Sequence, residues 1–238
     1  MKTQRIGLKA LVMVLAVGPL TAHGQDRVSI DGSFMERYEI SIARFADFAL
    51  ATGRTTAAEL DGGGHEWGNG WERRAGWNVH RPFGVPPQSP QWPAVHVNWY
   101  EARDFCAWAG GRLPSRVEWT RAAYTEQGHG VRSGFVKGQT YPYPTGRSED
   151  GANTNASDPW PQLAPAGATR RGVNGLHDMG GNAWEWLADR QGDTALTAGG
   201  SWWYGAHQMR AESMQWKPAD FSVVYVGFRC IYAALPRG

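Results

Sequence analysis

Few residues in this chain have the type and spacing that chemistry needs. Its two cysteines, Cys106 and Cys230, stand 124 positions apart. Its seven histidines, at 23, 65, 80, 96, 129, 177 and 207, include no pair at metal-site spacing. There is no HExxH, CxxC, Walker loop, GxGxxG or GxSxG, so zincin, P-loop, dinucleotide and α/β-hydrolase chemistry are excluded. Gly199-Gly200-Ser201 lacks the flanks of a nucleophile elbow. The stretch from Asp178 to Glu185 is different. Two hard oxygen donors bracket Gly181 and Ala183, whose carbonyls can turn inward where the backbone is tight. An all-oxygen set suits calcium rather than zinc or copper. The competing reading of Glu185 is a buried salt bridge with an arginine. His65-Glu66 reads as a solvated loop pair, and Asn155-Ala156-Ser157 matches a glycosylation acceptor too short to carry weight.

Positioning such residues requires elements, and the chain marks several. Residues 33–40 (SFMERYEI) form a strand candidate. Ser41 then caps a helix with Ile42, Phe45, Ala46 and Ala49 on one face, ending at Gly53. From 54 to 93 no period is sustained, and Trp67, Trp71, Trp77 and Trp92 are expected to pin this stretch. Asn98 with Glu101, and Ser115 with Glu118, are capping boxes for two further helices. Ala102, Phe105, Cys106 and Ala109 share the buried face of the first, which stops at Gly110-Gly111. After 127 the chain is rich in Gly, Pro, Asn and Asp until short strands near its end. There is no internal repeat and no linker, so one domain is expected over 25–238.

Composition narrows the class. Thirty-one glycines and 13 tryptophans in 238 residues describe a loop-rich domain stapled by aromatics rather than a bundle. Lys+Arg 24 against Asp+Glu 22 gives +2, but Lys2, Arg5 and Lys9 fall in the first 24 residues, which carry no acid. The remainder is near-neutral, without basic clusters, which argues against nucleic acid or anionic membrane as a partner. Residues 1–24 have the layout of an export signal: a basic start, an apolar centre from Ala10 to Leu20, and Ala22 and Gly24 before a cut. That centre is too short to span ~30 Å of hydrocarbon, so no membrane span is expected. The mature chain is expected in the periplasm or outside the cell. In that oxidising setting two cysteines read as a disulfide rather than as free thiols.

Four segments in order resemble the sulfatase-modifying-factor family, whose founding activity is the formylglycine-generating enzyme. They are HVNWYEAR from His96 with CAWAGGRLPSRVEW from Cys106; YPYPTG from Tyr141 with Ala152-Asn153; NGLHDMGGNAWEW from Asn174; and GGSW from Gly199 with Arg210 and GFRC from Gly227. With Arg37-Tyr38-Glu39 they cover nearly all of the chain after the leader. The resemblance implies an α+β fold, a variant of the C-type-lectin-like architecture with little regular secondary structure. It implies a disulfide between Cys106 and Cys230. It places calcium on Asp178, Gly181, Ala183 and Glu185, with a second site starting at Asn153-Thr154 whose downstream segment is shortened here. Arg112, Glu118 and Arg229 are expected as buried salt-bridge partners, and Trp202-Trp203 as packing rather than sugar-binding residues.

One departure bears on function. The resemblance implies two further cysteines shortly after the GGS segment, holding copper through soft thiolates. Here that stretch reads GGSWWYGAHQMR from Gly199, with Tyr204 and His207 and no cysteine, so copper is not expected. Nor does the chain have the additional domain or the His spacing of the family's iron-dependent branch. Three readings follow: an exported family enzyme with divergent maturation or oxidoreductase-type chemistry, in a pocket of Trp184, Ser201, Tyr204, His207 and Arg210; a non-catalytic, calcium-stabilised, lectin-like module holding a peptide, protein or small ligand; and, least favoured, a true formylglycine generator.

Overall fold

The computed structural model describes residues 26–128, 134–155 and 158–234. The segment 1–24, read above as an export signal, and the end of the Asn155 acceptor motif lie outside them. The chain begins with a hairpin of β1 (Arg27–Ile30) and β2 (Ser33–Glu36), closed by Asp31-Gly32 with φ of 47° and 80°. Positive φ at both turn residues is what a two-residue hairpin needs, and Asp-Gly supplies it. The strand expected over 33–40 therefore stops at Glu36, because Arg37 to Ile40 leave the sheet to enter the core. At the other end of the chain β9 (Ile231–Ala233) pairs antiparallel with β2 and ties the two ends together.

The cap signals are realised in full. Helix α1 (Ile42–Thr52) starts where Ser41 Oγ accepts from the Arg44 N–H and stops at Gly53 in the left-handed region. Its buried face is Ile42, Phe45 and Phe48; Ala46 and Ala49 are only half-buried. Phe48 takes their place because its ring packs edge-on against Phe45 and Phe105, an area two methyl groups cannot match. A one-turn helix α2 (Ala57–Leu60) follows. Then α3 (Trp99–Trp108) and α4 (Arg116–Tyr124) begin with reciprocal capping boxes at Asn98/Glu101 and Ser115/Glu118.

The region read as irregular holds a second hairpin, β3 (Gly63–Trp67) with β4 (Trp71–Ala75). His65 and Glu66 are thus strand residues: His65 meets the Ser222 carbonyl and the Phe221 ring, and Glu66 binds Arg74. Trp92 is buried and Trp77 packs on the core. Trp67 and Trp71, by contrast, are about half exposed and are not pins. Gly64 is required by packing, since a Cβ there would lie 2.0 Å from Nδ1 of His96.

The main sheet runs β7–β6–β5–β8, from β5 (Trp184–Gln191), β6 (Thr194–Ala198), β7 (Gln215–Pro218) and β8 (Val226–Gly227), with β8 parallel to β5. Helix α3 lies on this sheet through Trp99, whose indole donates to the Leu187 carbonyl. The architecture is α+β and C-type-lectin-like, and no helix among the described residues is long and apolar enough to cross a membrane.

Cys106 on α3 and Cys230 beside β9 are bonded, with their Cα atoms 5.5 Å apart. Both are fully buried among Phe105, Phe228 and Leu113. Closing a loop of 124 residues contributes roughly 4–5 kcal/mol in the chain-entropy treatment. Denatured, unreduced protein should therefore show no free thiol, and Cys106→Ala with Cys230→Ala should lower the midpoint of urea unfolding. Two titratable thiols, or an unchanged midpoint, would refute the role assigned to this bond.

Candidate functional site

The GNAWEW segment enters β5 carrying the deepest charge in the molecule. Glu185 and Arg229 are both essentially unexposed and meet at 2.6 Å. Both Glu185 oxygens accept from Arg229 Nε, Oε1 also from Nη2, and Oε2 also from the Trp119 indole at 2.7 Å. Arg229 spends its remaining donors on the carbonyls of Glu36, Arg37 and His177. Nearby, Asp178 accepts from the Gly167 N–H and the Thr169 hydroxyl, and Glu39 accepts from Asn182 Nδ2 and the Ala183 N–H. Burial first, and then the Asp178 and Glu185 carboxylates, push the Glu39 carboxyl well above its usual range; burial also raises Asp178.

This geometry bears out the alternative reading of Glu185 as an arginine partner. Four hydrogen bonds occupy the lone pairs of Glu185, and Arg229 already supplies the positive charge a cation would bring. Asp178 is turned to Thr169 and Gly167. Of the set Asp178, Gly181, Ala183 and Glu185, both carboxylates are thus engaged by protein donors. Of the expected side-chain donors, Asn153 Oδ1 is buried without a hydrogen-bond partner. Its amide nitrogen donates to Asn182 Oδ1 and the Gln162 carbonyl, while Thr154 N–H donates to Asp158. The two segments read as separate metal sites therefore pack together: a Cβ on Gly181, at φ 81°, would lie 2.3 Å from the Asn153 carbonyl oxygen. Arg112 and Glu118 do pair, but with the arginine more than half exposed rather than buried.

The residues expected to line a pocket divide into two groups. Trp184 and Ser201 are buried, and Trp184 meets the half-buried Tyr204 at 5.9 Å between rings. Tyr204 in turn lies edge-on to the buried Tyr225 at 5.4 Å, with Trp203 beyond it. His207 and Arg210 are exposed. The imidazole meets the Gln208 amide and the guanidinium grips the Tyr143 hydroxyl, so neither joins Trp184. The short 3-10 turn Ala206–Met209 tethers inward through Met209 and leaves His207 on its outer side. A cavity of about 310 Å³ lies elsewhere, against Glu36, Glu39 and Arg44.

Two features of this aromatic box escaped the sequence. Trp99, Trp119 and Trp186 are buried with their indole N–H bonded to Leu187, Glu185 and Val97; that of Trp184 is buried with no partner. A buried donor left unpaired costs roughly 1–3 kcal/mol. Across the Trp184 face, at 4.4 Å from its centroid, sits the ammonium nitrogen of Lys217. Lys217 is only 7% exposed, pairs with no carboxylate among the described residues, and donates to Gln215 Oε1 at 2.7 Å. Burial pushes its amine down to about 7. The indole face returns part of this, since a cation–π contact favours the charged form by ~0.5–2 kcal/mol. One unit of pKa is ~1.4 kcal/mol, so the downward direction stands. The signal that could have found Lys217 was the QWKP alternation, which must send either Trp216 or Lys217 inward.

With fold and site in hand, the chain can be placed: it belongs to the sulfatase-modifying factor enzyme 1-like family, whose model matches residues 8–234. It is 27% identical to the formylglycine-generating enzyme of Mus musculus over 88% of this chain and 68% of that one. It is 31% identical to the inactive C-alpha-formylglycine-generating enzyme 2 of Bos taurus, over 66% of this chain and 58% of its relative. Its fold is similar to that of PvdO from Pseudomonas aeruginosa, with a TM-score of 0.62 at 20% identity, covering 84% and 79% of the two chains.

The charges lead to three predictions. Arg229→Met, which strands a buried carboxylate, should cost about 3–5 kcal/mol in urea unfolding. EDTA should leave the melting temperature of the intact protein unchanged; a calcium-reversible drop of several degrees would show that a cation, not Arg229 alone, balances the acids. For Lys217, the unfolded chain holds a proton the folded one releases between pH 7 and the ordinary lysine range near ~10.4, so stability rises with pH across that window. Lys217→Met should thus be stabilising at pH 6, with the gain shrinking towards pH 10. A gain independent of pH would contradict a burial penalty on the charge.

Proposed function

We propose that this chain is an exported member of the family that has left copper–thiolate chemistry and works on a small molecule or peptide in the box formed by Trp184, Ser201, Tyr204 and Tyr225. The observation that carries this reading is the buried, unpartnered indole N–H of Trp184, whose ring packs on Tyr204 and through it on Tyr225. Buried polar groups without partners are rare and gather where ligands complete them. Both cysteine sulfurs are tied in the Cys106–Cys230 bond, so neither is a thiolate able to ligate copper or attack a substrate. The reaction class is maturation or oxidoreductase-type. The leader over 1–24 supports export, and the disulfide agrees with it.

The second reading, a lectin-like binding module, is favoured by one feature. Trp67 and Trp71 stand about half exposed on the β3–β4 hairpin, edge to face, with Phe221 against Trp71 at 4.7 Å. Such exposed aromatic surface is a usual platform for ligands.

One experiment separates the three. Protein purified from its native compartment is incubated with a sulfatase-type Cys peptide, copper and oxygen, and is screened in parallel for small molecules that raise its melting temperature. No formylglycine should form, and the stabilisation by any ligand should be lost in Trp184→Phe and Tyr204→Phe and kept in His207→Ala and Trp71→Ala. Conversion of the peptide would restore the copper reading. Loss confined to Trp71→Ala would give the protein to the binding-module reading.

A further inference from the structure

Strand β7 is built the wrong way round. In QWKP a strand with one face on the core should turn Trp216 inward and Lys217 to water, yet Trp216 is 45% exposed and Lys217 is buried. The register fixes this choice: Lys217 pairs with Ala195 and Trp216 with Leu196 on β6. Local rules broken without an evident structural gain mark functional sites. A lysine is also a costly residue to bury, and none of the acids on adjoining elements (Asp189, Asp193, Glu212 or Asp220) forms an ion pair with it. The titratable groups round the box are the phenols of Tyr204 and Tyr225. His207 is linked only through the amides of Gln215 and Gln208. Tyr225 is held un-ionised by burial and by the Tyr204 hydroxyl.

A buried amine set over the face of an indole whose own N–H is unpaired is matched by one kind of ligand group. A free amine is a nucleophile for carbonyl carbon, and an N–H donor beside it suits the carbonyl oxygen, which gains negative charge as the carbon is attacked. We infer that Lys217 is a reactive lysine that forms an imine with a small aldehyde or 2-oxo acid, its oxygen held by the Trp184 indole N–H. This deepens the reading of the aromatic box as the functional site and rests on it. The nitrogen lone pair adds to the carbonyl carbon, the C=O π pair moves to oxygen, and proton transfer through solvent gives the carbinolamine. Loss of the hydroxyl as water leaves C=N. No oxidant or reductant is consumed. Only a small ligand is admitted, because Trp203 and Tyr204 are themselves half-buried over the site.

The chain provides its own control. Only two lysines lie among the described residues, Lys217 and the exposed Lys137. The full-length protein is treated with glyoxylate and cyanoborohydride across pH 5–10, and carboxymethyl-lysine is quantified by peptide mapping. Lys217 should be labelled at pH 7 at least about tenfold faster than the exposed Lys137. Its rate should be half-maximal near pH 7. Trp184→Phe, which keeps a ring but removes the N–H, should slow labelling of Lys217 and leave Lys137 unchanged, with an unchanged melting temperature and near-UV circular dichroism reporting an intact fold. Equal labelling of the two lysines at pH 7, or labelling of Lys217 only above about pH 9, overturns the inference. If Lys217 stays unlabelled while Trp184→Phe and Tyr204→Phe still abolish ligand stabilisation in the screen above, the box stands as the site and the amine's role falls.

Discussion

The buried pair of Arg229 and Glu185 is the constraint from which the rest of this fold hangs. A guanidinium at zero exposure has to find an acceptor for every N–H, and Arg229 finds them in three separate parts of the chain. It thereby fixes the exit of β2 at Glu36 and Arg37, the loop at His177 and the start of β5, while Trp119 brings α4 onto the same carboxylate. In a protein with short strands and long loops, such a hub does what a continuous sheet does elsewhere. Removing either member leaves a charge where water cannot reach it, which is why the pair is costly to break whatever its net contribution.

Around this hub the molecule concentrates negative charge to an unusual degree. Glu39, Asp178 and Glu185 share one guanidinium, and the excess is met by raising the proton affinity of Glu39 and by amide donors from Gly167, Asn182 and Ala183. Asn182 is the quiet member of the group. In the left-handed conformation at φ 56°, it uses both ends of its amide, donating to Glu39 and the Ala164 carbonyl and accepting from Asn153 and the Ala164 N–H. Asparagine is one of the few side chains that tolerates that backbone and can still bond in both directions.

The aromatic box differs from this hub in kind. At the hub every buried polar atom of Arg229 and Glu185 is satisfied, and the result is rigidity. At the box Trp184 keeps an unpaired N–H and Lys217 a buried amine with only the Gln215 amide and no carboxylate among the described residues, on the same sheet as Glu185. The bond between Cys106 and Cys230 lies in the core, whereas the polar groups of the box are nitrogen and oxygen groups. Trp184 N–H has no partner there and Lys217 has only the Gln215 amide, and β7, which carries the lysine, pairs with β6.

How much of this was legible in the sequence follows from the range of each signal. Ser41, Asn98 and Ser115 announced their helices because a cap and its partner lie three residues apart, and the structure returned each of them. The disulfide and the α+β, lectin-like fold were implied by motifs spread in order along the chain, and both are present. The partner of Glu185 was not legible, since an oxygen donor in a Gly-rich loop reads the same whether a cation or an arginine 44 positions away neutralises it. Nor did the sequence separate Trp184 from the exposed His207 and Arg210, because a short 3-10 turn reverses which side chains face the core within a few residues. Lys217 shows the limit most clearly: alternation along QWKP requires that neighbours face opposite ways, but which of them faces in is set by pairing with β6, a contact that exists only once the sheet has formed.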